Sequence, residues 1–155
     1  MKARQKKLLS MEKSKEIGRS CACFNLRKAA RAITRLYDKY LRATGLGSAQ
    51  FTLLMAARGV GPVPISRLAK GAVLDRTTLT RNLKVLEKKG LIRTQIGLDR
   101  RAREVTLTDL GHEALIKAVP LWGKAQARVK EGLGEEGMNS FLKYLSEMVS
   151  LARRE

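Results

Sequence analysis

The stretch that most narrows what this chain can fold into runs from Arg76 to Lys89. Leu79, Leu83 and Leu86 recur there at steps of four and three residues, which lines one side of a helix. At about 100° per residue, Thr77, Arg81, Lys84 and Lys88 fall on the opposite side. One side is made for a core, and the other carries hydrogen-bond donors and positive charge without an acid. Asp75 stands in front, where a carboxylate caps the free N–H groups of a first turn, and Gly90 stands behind as a terminator. Upstream, Ile65 to Lys70 reads as a short helix carrying Ile65, Leu68 and Ala69, and Gly71 permits a sharp change of direction before the next helix. Downstream, LeuIleArgThrGlnIle (91–96) and GluValThrLeuThr (104–108) read as two strands around the turn GlyLeuAspArgArgAlaArg (97–103). The order is helix, turn, helix, hairpin.

Long amphipathic helices flank this middle. From Ser20, a capping residue, to about Thr44, the residues Cys23, Leu26, Ala30, Ile33, Tyr37, Tyr40 and Leu41 follow a helical period. GlyLeuGlySer (45–48) breaks that helix, and Ser48 is placed to cap a second one in which Phe51, Leu54 and Met55 share a face, ending near Gly59 to Gly61. Pro62 and Pro64 then call for an extended link. Thr108 and Asp109 start a helix running through Leu110, Ala114, Leu115, Ala118, Leu121 and Trp122 to about Lys130, with a bend expected at Pro120. Gly132 and Gly134 separate it from a last helix bearing Met138, Phe141, Leu142, Leu145, Met148, Val149 and Ala152.

Residues 1–19 are basic, with Glu12 and Glu16 the only acids and no clear helical period, and are expected to form a flexible arm. The predicted fold is therefore mainly α with a small β-hairpin wing. The helical segments 20–47 and 109–155 form a dimerisation region, and 48–108 the unit that contacts a partner. Apolar stripes on the terminal helices exceed what a chain this short can cover, so a homodimer is expected.

Charge names the partner. Across 155 residues, 32 Lys and Arg stand against 14 Asp and Glu, a formal charge of +18 with a pI of about 10.6. A body so basic attracts polyanions. No apolar run approaches the roughly 20 residues of a membrane span, and no signal peptide is evident, so a cytoplasmic protein that binds double-stranded DNA is expected. A short helix, a turn and a helix with a Thr, Arg and Lys face is the layout that sets one helix in a major groove, and the hairpin makes it a winged helix-turn-helix.

In that reading Arg81 donates two hydrogen bonds to guanine, while Thr77, Thr78 and Thr80 reach phosphates or thymine methyls. Lys84, Lys88 and Lys89 set charge against phosphate. Arg100, Arg101 and Arg103 crowd onto the hairpin turn and suit a minor groove, Arg101 at the tip, with Asp99 holding the turn. The plainer reading of each group is a solvated basic face. At the level of function, the competing reading is an architectural or nonspecific nucleic-acid-packaging protein, for which +18 alone would suffice.

Catalytic motifs are missing: there is no paired-carboxylate site, Gly-rich phosphate loop, His-Glu-x-x-His or Ser-centred elbow. No enzyme activity, metal or cofactor is expected. His112 reads as a helix-start residue, and Arg27, Arg31 and Arg35 as a solvated row that is also able to hold an acidic effector. Cys21 and Cys23 are too few for a zinc site, and residues two apart on one helix project about 200° around its axis, so a disulfide between them needs an unwound helix start. An inert buried thiol is the simplest reading of Cys23.

LeuAspArgThrThrLeuThrArgAsnLeuLysValLeuGluLysLysGlyLeuIle (74–92) and AspArgArgAlaArgGluValThrLeuThrAspLeuGly (99–111) resemble the recognition helix, wing and return strand of the multiple antibiotic resistance regulator (MarR) family. The resemblance spans about residues 20–153. It implies a two-fold dimer on a roughly palindromic operator, usually a repressor released by a ligand or an oxidant. Thr77, Thr78 and Arg81 would be recognition-helix contacts and Arg101 the wing arginine. The first helix, from Cys23 through Tyr37, is similar to that of the organic hydroperoxide resistance regulators. That likeness places Cys23 as a sensing thiol and Tyr37 as its support from the other subunit, with Arg27 standing where those proteins have a second tyrosine. The implied effectors are peroxide or a small anionic or aromatic molecule.

Overall fold

In the computed structural model, residues 9–59, 62–97 and 102–154 are described. Among these described residues, six α-helices and a three-stranded antiparallel sheet follow in the order α1 (Met11–Ser20), α2 (Ala22–Leu41), a 3-10 turn (Arg42–Thr44), α3 (Ser48–Ala57), β1 (Val63–Pro64), α4 (Ile65–Ala72), α5 (Arg76–Lys88), β2 (Ile92–Ile96), β3 (Arg103–Leu107) and α6 (Asp109–Ala152). The chain divides into two compact units, one ending at Leu36 and the other beginning at Tyr37.

The first unit corrects the sequence reading of a featureless arm up to residue 19. Ser10 caps α1, its hydroxyl accepting from Lys13 N at 3.2 Å. Ser20, expected to cap the following helix, instead donates back to Glu16 O at 2.8 Å. The cap of α2 is Cys21, extended at φ −69° and ψ 110°, whose sulfur accepts from Phe24 N at 3.4 Å. The Asn25 amide donates to Gly18 O and Arg19 O, tying off carbonyls that α1 leaves free, and to Cys21 O at the start of α2. Neither cysteine is buried: Cys21 is half-buried and Cys23 exposed, against the expectation of an inert interior thiol.

The second unit holds the core, a single cluster that runs from Leu41 and Leu46 through Leu54, Leu68, Leu79, Leu83, Leu86 and Val105 to Leu115 and Ala118. Leu79, Leu83 and Leu86 are buried as the period required. On α3 the buried residues are Phe51, Leu53, Leu54 and Ala57, so Met55 faces outward instead of sharing the core side with Phe51. Phe51 stacks on Trp122 of α6, ring centroids 6.2 Å apart. Ser48 is not the cap of α3; that place is Gly47, and Asp38 of α2 supplies the missing oxygen by accepting from Ser48 N at 2.7 Å.

Sheet order is β1-β3-β2, with Val63 opposite Val105 and Ile92 opposite Leu107. The link expected at Pro62 and Pro64 thus contributes a third strand. Pro64 is tolerated there because β1 is an edge strand. A Gly97 N to Ala102 O bond of 2.8 Å closes the neck of the hairpin.

Turn chemistry differs in one place. Gly71 lies within α4, and the change of direction is made by Val73, whose φ of 52° puts a β-branched residue in the left-handed region. Such a conformation costs on the order of 1–3 kcal/mol. Val73→Gly is therefore predicted to leave the melting temperature unchanged or raise it, the relieved strain offsetting the extra chain entropy, whereas a fall of several degrees would show that Val73 is unstrained.

Gly90, at φ 69°, ends α5 as expected: Leu91 N reaches Leu86 O at 3.0 Å and Gly90 N reaches Glu87 O at 2.9 Å, the paired bonds of a Schellman end. Thr108 caps α6, accepting from Gly111 N at 3.1 Å and donating to Gly90 O at 2.6 Å. The backbone passes Pro120 with helical dihedrals and breaks at Gly134 (φ 72°, ψ 169°), so the separation foreseen at the glycines falls there.

Candidate nucleic-acid interface

Local chemistry fixes where α5 begins. The Asp75 carboxylate accepts from Thr78 N at 2.8 Å, and the Thr78 side chain and backbone N–H hold that carboxyl below its ordinary range, so the cap stays charged. Burial of the three leucines then aims the opposite face at solvent. Thr77, Thr80, Arg81, Lys84 and Lys88 are all exposed, and Thr78 is half-buried. Thr80 is partly spent within the helix, its hydroxyl donating to Arg76 O at 2.7 Å.

An open groove of about 570 Å³ runs along this face, lined by Arg76, Thr77, Thr80, Arg81, Lys84 and Val85. Arg76 and Val85 are the members that sequence reasoning missed. The signal for Val85 was available, since it follows Arg81 by four residues on the same stripe and offers an apolar contact for a thymine methyl.

No ion pair among the described residues compensates the charge here. Among the described residues the ion pairs, Lys13–Glu16, Lys117–Glu113, Arg128–Glu131 and Lys130–Glu135, lie on α1 and α6. None neutralises a cation of α5. The one acid of that helix, Glu87, turns aside to accept from Thr94 N of β2 at 3.1 Å.

Of the wing cations, Arg103 is exposed at the start of β3. Arg100 and Arg101, with Asp99, lie outside the described residues. Lys89, expected at phosphate, is instead engaged internally with Gly45 O and Gln50.

The candidate sensing residues are divided between the two units. Cys23 and Arg27 are exposed on the first unit, one turn apart on α2. Tyr37 belongs to the second, where its hydroxyl donates to Gln126 Oε1 of α6 and burial pushes its pKa up. Among the described residues, no group of His, Cys, Asp or Glu is placed to hold a metal, and no helix is long and apolar enough to cross a membrane.

The MarR family model matches residues 46–102, the stretch from the start of α3 to the hairpin. The HTH-type transcriptional regulator SarZ of Staphylococcus epidermidis is 35% identical over 92 residues, which are 59% of this chain and 62% of SarZ. The chain thus spans less than two thirds of the curated relatives it matches. Solved structures extend the likeness. The M. tuberculosis transcriptional regulator MosR, in complex with DNA, is 38% identical with a TM-score of 0.76 over 86% of this chain and 99% of that one. A mutant MarR of E. coli complexed with operator DNA, 24% identical, has the same fold at a TM-score of 0.74 over 91% of this chain and 99% of that one. With α4, α5 and the β2–β3 wing in that arrangement, the chain is a winged helix protein and belongs to the MarR family.

Proposed function

We propose that the chain is a dimeric, sequence-specific transcription regulator, most simply a repressor, that binds a pseudo-palindromic operator through α5. The observation that carries this reading is the recognition-helix face: exposed Thr77, Arg81, Lys84 and Lys88 on a helix whose other side is locked in the core. The DNA complex of MosR, alike over most of both chains, supports it. Arg81 is assigned to base edges, Thr77, Thr78 and Thr80 to phosphates and methyls, Lys84 and Lys88 to phosphates, and Arg100, Arg101 and Arg103 to the flanking minor groove.

A second copy is the natural cover for the apolar side chains left in solvent on the terminal helices, Phe24, Leu26 and Ile33 on α2 and Leu142, Met148 and Val149 on α6. Two subunits would set their recognition helices into successive major grooves, about 34–36 Å apart.

Competition tests this reading. One genomic fragment selected by the protein should persist against excess random DNA at physiological salt. A packaging protein, the reading that charge alone would favour, would show no preference.

Release is assigned to a small anionic or aromatic ligand or to thiol oxidation. For oxidation, the exposed Cys23 thiol would take one oxygen from a peroxide to give a sulfenic acid, its proton passing to the leaving oxygen, which departs as water or an alcohol. Peroxide should then weaken operator binding in a fluorescence anisotropy titration, and Cys23→Ser should abolish that response. An unchanged response in the variant removes Cys23 as the sensor.

A further inference from the structure

Lys89 sits immediately beyond α5, where a lysine on a DNA-binding helix is ordinarily assigned to phosphate. Two of the three donors of its exposed ammonium have partners within the chain. The ammonium donates to Gly45 O at 2.7 Å and to Gln50 Oε1 at 3.2 Å, across 44 and 39 residues of sequence. Gly45 is the left-handed residue, φ 70°, that closes the turn after α2, and Gln50 belongs to the first turn of α3. The same Gln50 oxygen accepts from Gly47 N at 3.3 Å.

This turn is itself tied to the end of α2. Thr44 Oγ1 donates to Leu41 O at 2.7 Å and accepts from Leu46 N at 3.3 Å, and Asp38 accepts from Ser48 N. On the other flank, Glu87 is bonded to Thr94 N of the wing. The last turn of α5 is therefore held from two sides by side chains of opposite charge.

We infer that Lys89 is a positioning residue: it fixes the far end of the recognition helix to the turn that ends α2, and so sets the angle at which Arg81 meets a base. This rests on the DNA-binding reading above. It extends that reading, because any shift of the last turns of α2 reaches α5 through the Gly45 carbonyl. Lys84 and Lys88, exposed on the outer face, keep the phosphate role.

The two roles separate by salt dependence. A lost phosphate contact lowers the slope of log K against log salt by about 0.9 on every duplex. A lost positioning bond leaves the slope and lowers only discrimination. Lys89→Met and Lys84→Met would be titrated, over a series of salt concentrations, against a duplex selected by the unmutated protein and against random duplex, with a circular dichroism melt of each variant.

Lys89→Met is expected to bind the selected duplex roughly three- to tenfold more weakly, with random-duplex affinity and slope unchanged. Lys84→Met should weaken both duplexes equally and flatten the slope. Equal loss on both duplexes with a flattened slope in Lys89→Met, or no change at all, overturns the assignment. Gln50→Ala removes one acceptor without touching any charge and should lower discrimination by a smaller factor. It carries the test alone if Lys89→Met does not fold, and unchanged discrimination then overturns the assignment. Should the unmutated protein prefer no duplex, it is the DNA-binding reading that fails, and that arm reports it separately.

Discussion

Arg81→Ala is expected to remove about 1–3 kcal/mol of discrimination at one base pair of each half-site, roughly 5- to 150-fold, while leaving preferences at the other positions in place. The expectation follows from where α5 puts the side chain. Asp75 fixes the start of the helix, the buried Leu79 and Leu83 fix its rotation, and Arg81 lies between them on the exposed groove with Thr77 and Val85. A guanidinium there presents two parallel donors, matching guanine O6 and N7, which no alanine can replace. The check is a set of binding titrations against the selected operator and its single-base variants. Loss of preference at one position identifies a base contact, and equal loss on every sequence would make Arg81 a phosphate contact. Lys84→Ala supplies the contrast, a uniform weakening that shrinks with added salt.

Gly111→Ala is expected to be the most damaging alanine substitution among the described glycines. A Cβ at Gly111 would stand 2.0 Å from Leu91 O and 3.0 Å from Leu91 C, both backbone atoms. Neither can swing away. Leu91 O also accepts from Thr108 N, and Leu91 N closes the end of α5, so relief at one point pulls on the recognition helix, the hairpin and α6 together. Overpacking against backbone should cost about 3 kcal/mol, or roughly 6–12 °C in melting temperature for a chain of this size. Gly123→Ala, on the same helix with nothing within 4 Å of the added methyl, should move the other way by about 0.5–1 kcal/mol. Thermal melts of the two variants settle the comparison, and a melting temperature for Gly111→Ala near that of the parent would contradict the packing described.

What could be read from the chain without its fold follows from the range of each signal. Asp75, Gly90 and Thr108 act on atoms within a few residues, so cap and terminator chemistry placed α5 and the start of α6 correctly. The leucine period likewise fixed which side of α5 is exposed. Signals failed where the partner is distant or the local preference is overridden. α1 has no buried residue, and its Met11 and Ile17 are exposed, so no apolar stripe announced it. Val73 takes the turn that a glycine search gives to Gly71, because α4 continues through Ala72 and the left-handed residue falls one place later. β1 is two residues long and pairs with a strand about forty positions away, which no local pattern encodes. Lys89 looks like its neighbours in sequence and differs from them only through Gly45 and Gln50. Arg100 and Arg101 lie outside the described residues, and their wing role stands as proposed.

The most direct test of the account is guanine N7 methylation interference on an operator selected by the protein, since N7 faces the major groove alone. Two clusters of interference are predicted, centred one helical turn or a multiple of it apart, each losing its strongest guanine signal in the Arg81→Ala variant. Uniform or absent interference along the bound duplex would contradict the claim that α5 reads base edges.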